Sequence, residues 1–237
     1  MYSNNSAMEN IPEHIAIIID GNGRWSQKYG NEHRIGAKNL HSIVELSVRL
    51  GVNNLTVYVF SKENWQRPKE EIASLMDLFV KGLDKVNLLV KNNIRFNIMG
   101  ELIELPAKVQ THISQCIEET QNNAGMTLCL ALNYSSRLEI VRTSKQLAEM
   151  TDNKIINSND ITELLFSKHL YANSMPDVDL LIRTGEEYRL SNFMLWQCSY
   201  AELYFCKTLW PDFKEEDYLK AIYDYQTRDR RFGTVNS

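Results

Sequence analysis

What most constrains this chain is an alternation. Short, almost wholly apolar runs are separated by longer stretches with helical spacing. Residues 14–19 read as a buried strand that stops at Asp20-Gly21-Asn22-Gly23. A helix over 36–50 follows, closed by Gly51, and 55–60 is a second strand. Pro68 opens the next helix, with Glu70 and Glu71 at the positive end of its dipole and Leu75, Leu78, Phe79, Leu83 and Val86 as its apolar face. Strand 94–99, helix 106–122, strand 126–132 and helix 137–150 come next; the fourth strand is apolar enough to be central. A polar loop at 151–159 and a short helix at 160–169 precede strands at 179–183 and 201–205, and 215–226 is the last helix. Strand and helix in alternation predict an α/β fold: one domain with a central, mainly parallel six-stranded sheet and helices on both faces. No repeat or linker divides it. The expected boundaries are a flexible N-terminus at 1–10, one domain at 11–233 and a tail at 234–237.

Composition excludes several functions. With 26 Lys+Arg against 30 Asp+Glu in 237 residues, the net charge is −4, a poor match to general nucleic-acid binding. No apolar run approaches the roughly 18–20 residues that span a bilayer. The start, Met1-Tyr2-Ser3-Asn4-Asn5-Ser6, lacks the basic-then-apolar layout of a signal peptide. Cys116, Cys129, Cys198 and Cys206 form no C-x-x-C pair, which predicts reduced, mostly buried thiols and a cytoplasmic location.

In parallel sheets, ligands collect at the carboxyl ends of strands. After the first strand, Gly21 and Gly23 allow close backbone approach, successive N–H groups can cradle an anion, and Arg24 adds a bidentate donor. Asp20 either holds a divalent cation shared with phosphates or caps a plain strand-to-helix turn. An aspartyl-phosphate phosphohydrolase would want a second acid at Asn22. After the second strand comes Ser61-Lys62-Glu63-Asn64-Trp65-Gln66-Arg67, rich in hydrogen-bonding groups, with Arg67 placed to meet an anion. After the fifth, Arg183, Arg189 and Ser191 reach one edge, with Leu190 between them. Glu202 lies in an apolar stretch, so it is either ion-paired with an arginine or metal-bound. Arg24, Arg67, Arg183 and Arg189 exceed what one monophosphate needs, and two diphosphates with a bridging Mg²⁺ match them better.

These segments carry a resemblance. Residues 14–25, 60–68 and 179–187, with Arg189, Ser191-Asn192, Leu195-Trp196-Gln197, residues 200–205, Trp210-Pro211-Asp212-Phe213 and residues 228–233, resemble the cis-prenyltransferases, most closely the bacterial undecaprenyl diphosphate synthases. The resemblance implies a homodimer that condenses isopentenyl diphosphate onto an allylic primer, farnesyl diphosphate, to make a cis-polyprenyl diphosphate for the cell-wall lipid carrier. Its cofactor would be Mg²⁺, held by Asp20 with Glu202 as a second linked carboxylate. The backbone of Gly21, Asn22, Gly23 and Arg24 would hold the allylic diphosphate, Arg183, Arg189 and Ser191 would hold the isopentenyl diphosphate, and Trp25 and Leu190 would bind substrate beside them. Ser61, Lys62, Glu63, Trp65 and Arg67 would complete the substrate site, with Asn64 aiding proton removal. Arg231-Phe232-Gly233 would reach toward the partner subunit. An apolar tunnel for the growing chain would draw on Leu75, Leu78, Phe79 and Leu83, with Met126 and Leu128 near its floor; the alternative is that these are ordinary core residues. Product release would bring the enzyme to the inner face of the membrane.

Three places depart from the family pattern. His33 stands at an arginine position, Ala37 at a histidine and Leu40 at a glycine. Glu186 replaces a glycine, and Ser135-Ser136 replace a Gly-Gly. Loss of a histidine donor would weaken transition-state binding by roughly 1–3 kcal/mol, slowing turnover or shifting primer preference without abolishing activity. The alternative is a non-catalytic partner subunit or diverged paralogue.

Overall fold

A computed structural model of the chain describes residues 10–30 and 33–231. The expected flexible segment up to residue 9, the tail at 234–237, and Phe232 and Gly233 lie outside the described residues. Six strands form one sheet: β1 (His14–Ile18), β2 (Asn54–Ser61), β3 (Arg95–Met99), β4 (Thr127–Tyr134), β5 (Leu180–Arg183) and β6 (Glu202–Phe205). Their order is β3-β4-β2-β1-β5-β6, and every neighbouring pair is parallel. The mainly parallel expectation is met in full.

The helices are α1 (Asn22–Tyr29), α2 (His33–Leu50), α3 (Lys69–Leu83), α4 (Val86–Lys91), α5 (Ala107–Thr120), α6 (Ser136–Asp152), α7 (Glu163–Ser167) and α8 (Glu215–Gln226). Period-2 alternation splits the core between the two faces of the sheet. Ile15 and Ile17 of β1 join Leu55 and Val57 of β2 beneath apolar stripes of α2, α3, α5 and α8. Ala16 and Ile18 point the other way, into a cluster with Tyr58, Tyr134, Phe193 and Met194. All five β1 residues are therefore buried, which explains the unbroken apolar run. On that second face the cover is α6 together with an irregular stretch around 170–201. Glu139 of α6 is fully buried there, accepting from the Tyr134 hydroxyl at 2.6 Å and the Tyr171 N–H at 2.8 Å.

Several boundaries differ from the sequence reading. α1 was not separable, because none of its residues is buried and it carries no apolar stripe. The expected stripe from Leu75 to Val86 is broken: α3 ends at Leu83 and the chain restarts as α4 at Val86. α6 runs on through Asp152, into the expected loop. The helix expected at 160–169 shrinks to Glu163–Ser167, capped by Thr162. β2 also carries an irregularity: Tyr58 pairs with Ala131 and Phe60 with Leu132, leaving Val59 as an extra residue at the strand end.

Candidate active site

The carboxyl ends of β1, β2 and β5 open onto a cleft of about 880 Å³. One wall is the start of α1. Gly21 is its N-cap, with φ 106° and no side-chain cap bond, so the first N–H groups of the helix are left to face a ligand. Glycine is required there: a Cβ would meet the Leu209 side chain at 2.8 Å.

Asp20 is at the centre. Its Oδ1 accepts the Gly21 N–H at 2.7 Å, and its Oδ2 accepts from Arg183 Nη2 at 2.8 Å. Arg183, only 3% exposed, is the keystone of the opposite wall. Its Nη1 donates to Ser191 Oγ at 2.7 Å and to the Arg189 carbonyl. One guanidinium thus ties the tip of β1 to the loop after β5. Arg189 pairs with Glu187, and Arg67 with Glu71 at 3.1 Å.

The third wall is a 3-10 turn, Lys62–Gln66, after β2. Asn64 stabilises it by accepting the Ser61 N–H on Oδ1 at 3.0 Å. Three further contacts pin the turn. Trp65 Nε1 donates to Asn133 Oδ1 at 2.6 Å, Asn192 Nδ2 donates to Glu63 Oε1 at 3.0 Å, and Lys62 pairs with Glu104. Burial alone would raise the Glu63 carboxyl, but hydrogen bonds from Asn192, its own backbone and Ser61 outweigh it and hold Glu63 below the usual range. Burial also pushes the Tyr58 phenol far up, with Glu63 adding to the effect.

The cleft lining therefore gathers Asp20, Gly21, Asn22, Gly23, Ser61, Glu63, Asn64, Arg67, Arg183, Arg189, Leu190 and Ser191 as expected. Four expected residues sit behind it or at its rim. Arg24 donates to the Gly185 carbonyl and lies 3.7 Å from Asp20 Oδ1. Trp25 stacks obliquely on Tyr29, and Lys62 and Trp65 anchor the turn from outside. Glu202 opens β6, beside Leu180 at the amino end of β5, whereas Asp20 lies beyond the carboxyl end of β1. Within one chain the two carboxylates occupy opposite ends of the sheet, and Glu202 takes the ion-pair alternative, accepting from Arg228 Nη1 at 2.7 Å. Of the proposed tunnel residues only Leu75 lines the cleft; Phe79, Leu83, Met126 and Leu128 are buried in the core. Of the described part of the C-terminal segment, Arg231 pairs with Asp229 at 2.8 Å.

Sequence reasoning missed Arg137, Asn192 and Glu71 in the lining. Arg137 and Asn192 belong to long-range packing of the α6 start, for which no local pattern exists. Glu71 was read only as a helix-dipole residue. All four cysteines carry free thiols, and no helix among the described residues is long and apolar enough to cross a membrane.

A wholly parallel sheet whose carboxyl edge gathers four arginines, the strand-tip carboxylate of Asp20 and an uncapped helix start defines an α/β protein built to hold acidic ligands. The family model described as putative undecaprenyl diphosphate synthase matches residues 18–233, and the chain belongs to that prenyltransferase family. It is 48% identical over 235 residues to an isoprenyl transferase of Fusobacterium nucleatum, covering 97% of this chain and 99% of that one. It is 45% identical over 229 residues to a ditrans,polycis-undecaprenyl-diphosphate synthase of Pasteurella multocida described as specific for (2E,6E)-farnesyl diphosphate, covering 94% and 95% of the two chains. Among solved structures, lavandulyl diphosphate synthase from Lavandula x intermedia in complex with dimethylallyl diphosphate superposes with a TM-score of 0.92 at 37% identity, covering 94% of this chain and 99% of that one.

Proposed function

We propose that this chain is a cis-prenyltransferase that condenses isopentenyl diphosphate with farnesyl diphosphate into a cis-polyprenyl diphosphate, the precursor of the cell-wall lipid carrier. The observation that carries the reading is the Arg183 bridge. It fixes a carboxylate at one diphosphate site and a hydroxyl at the other, joined through one buried guanidinium.

The chemistry needs the bond between the allylic C1 and its diphosphate to break as negative charge builds on the leaving oxygens. The first N–H groups of α1, with Arg24 at the rim, hold that diphosphate. Arg183, Arg189 and Ser191 place the isopentenyl group so that its double bond attacks C1 as the allylic cation develops. A C2 proton then leaves. Asn64, an amide whose oxygen already accepts from Ser61, orients rather than removes that proton, and the released diphosphate is the acceptor.

Asp20 fits Mg²⁺. Each of its oxygens accepts one short hydrogen bond and keeps a lone pair, and the side chain is 33% exposed toward the cleft. Among the described residues no cluster of three His, Cys, Asp or Glu side chains could enclose a metal, which matches an ion that binds through one carboxylate, water and substrate phosphates. When bound, Mg²⁺ supplies charge neutralisation for the departing diphosphate. We read the working enzyme as a cytoplasmic homodimer that touches the inner face of the membrane to release product, with Leu75 at the mouth of an apolar tunnel.

The test is to incubate purified protein with farnesyl diphosphate, labelled isopentenyl diphosphate and Mg²⁺. Labelled long-chain product that disappears in Asp20→Ala supports the reading. Diphosphate binding with no product from the intact protein overturns it in favour of a non-catalytic partner subunit.

A further inference from the structure

Among the cleft's lining residues, four arginines face three carboxylates: Arg67, Arg137, Arg183 and Arg189 against Asp20, Glu63 and Glu71. Three of the arginines are already engaged. Arg67 holds Glu71, Arg189 holds Glu187, and Arg183 holds Asp20 and Ser191. Among the described residues, the guanidinium of Arg137 has no ion pair and no hydrogen bond, although its backbone is firmly fixed. It is exposed and lines the cleft.

Its position assigns it to one wall. The first turn of α6 is sewn to the loop after β5 by four bonds. Ser136 N donates to the Asn192 carbonyl at 2.9 Å, and Arg137 N donates to Asn192 Oδ1 at 2.9 Å. Asn192 Nδ2 donates to Ser135 Oγ at 2.7 Å, and Leu195 N donates to Ser136 Oγ at 3.0 Å. Ser191, next in the chain to Asn192, presents its hydroxyl to Arg183. Arg137 therefore rides on the same block as Ser191, not on the α1 wall. A free, charged fork on a rigid mount beside Ser191 suits the outer oxygens of a second diphosphate.

We propose that Arg137 is a further substrate-binding residue, gripping the diphosphate of the isopentenyl substrate together with Arg183, Arg189 and Ser191. The proposal rests on the prenyltransferase reading above.

The test compares Arg137→Gln and Arg137→Lys with the unaltered protein in steady-state turnover and in calorimetric titration with isopentenyl diphosphate alone. Loss of one charge-assisted contact predicts a KM and Kd for isopentenyl diphosphate raised about tenfold or more in Arg137→Gln, with KM for farnesyl diphosphate within about twofold and kcat little changed. Arg137→Lys, which keeps the charge, recovers part of the loss. The melting temperature stays put, because the side chain holds nothing in the free protein. A KM and Kd for isopentenyl diphosphate within about twofold of the unaltered protein overturn the proposal, and so does a rise confined to farnesyl diphosphate. If the unaltered protein yields no product but binds isopentenyl diphosphate, the catalytic reading fails while the titration still decides the role of Arg137. If it binds none, both fail.

Discussion

Asn192 reaches across 129 positions of sequence to donate from Nδ2 to Glu63 Oε1 at 3.0 Å. It thereby joins three loops that the chain makes far apart: the turn after β2 through Glu63, the start of α6 through Ser135 and Arg137, and its own loop after β5. It does so at φ 62°, next to Ser191 at 48° and two residues before Met194 at 45°, a left-handed conformation that persists because these bonds over-determine it.

Asn192→Asp should break this junction by setting a second carboxylate against Glu63. We expect turnover to fall about tenfold or more, as for loss of one buried hydrogen bond plus a like-charge contact. Adding Glu63→Gln restores a donor–acceptor pair with the roles exchanged, and most of the lost turnover should return. A double variant no better than Asn192→Asp would mean that the bond does not set the spacing of the loops.

Gly185 sits at φ 87°, and a Cβ there would lie 2.9 Å from Arg24 Nη2 and 3.0 Å from the Asp20 carbonyl carbon and oxygen. Gly185→Ala should therefore displace Asp20 and Arg24 together and cost about 1–3 kcal/mol of stability. Chemical denaturation and turnover should both register it, and unchanged values in both would contradict the contact.

Glu186 follows at φ 58°, a left-handed position at the point where the family pattern has glycine. Its side chain meets Lys207 at 3.5 Å in an exposed ion pair, which is worth little. Glu186→Gly should relieve backbone strain and stabilise the fold by about 1 kcal/mol, seen as a higher denaturation midpoint. A lower midpoint would show that the backbone is not strained there.

His14 is fully buried. Its Nδ1–H donates to the Pro176 carbonyl at 2.8 Å, and its Nε2 accepts from the Thr56 hydroxyl at 2.7 Å. Burial lowers its pKa below the ordinary 6.5, against the raising effects of Pro176 and Asp179. As pH falls through 6.5 the unfolded chain takes up a proton that the folded chain refuses, so stability falls with pH by up to about 1.4 kcal/mol per unit. Glu139, raised by burial, contributes the opposite slope. The comparison is therefore with His14→Gln at matched pH: between pH 7.5 and 5.5 its denaturation midpoint should fall less than that of the unaltered protein, or rise.

The sheet was legible because its strands are buried on both faces and so read as unbroken apolar runs, β1 above all. The strand-end rule then found Asp20, Arg183 and Ser191 without knowledge of any contact between them. It could not find Arg137, which opens a helix rather than closing a strand in a recognisable motif, nor Asn192, whose meaning lies in partners 57 and 129 positions away. Glu202 shows the limit from the other side. An acid in an apolar stretch signals a partner, but it opens β6 instead of following it, so the sheet carries it away from Asp20. The Ser135-Ser136 departure also acquires a physical meaning. Ser135 is extended at φ −153°, so no glycine is needed there, and the two hydroxyls supply bonds to the loop after β5.

The sheet order places β1, the first strand to be made, between β2 and the much later β5. Timing during synthesis follows from this. A nascent chain that has not yet delivered Leu180–Arg183 carries β1 with the backbone N–H and C=O groups of one edge unpaired and an Asp20 without its guanidinium. A translation product that ends before Leu180–Arg183 cannot assemble the site. Until most of the chain has emerged, that exposed strand edge is the surface most in need of a chaperone's protection.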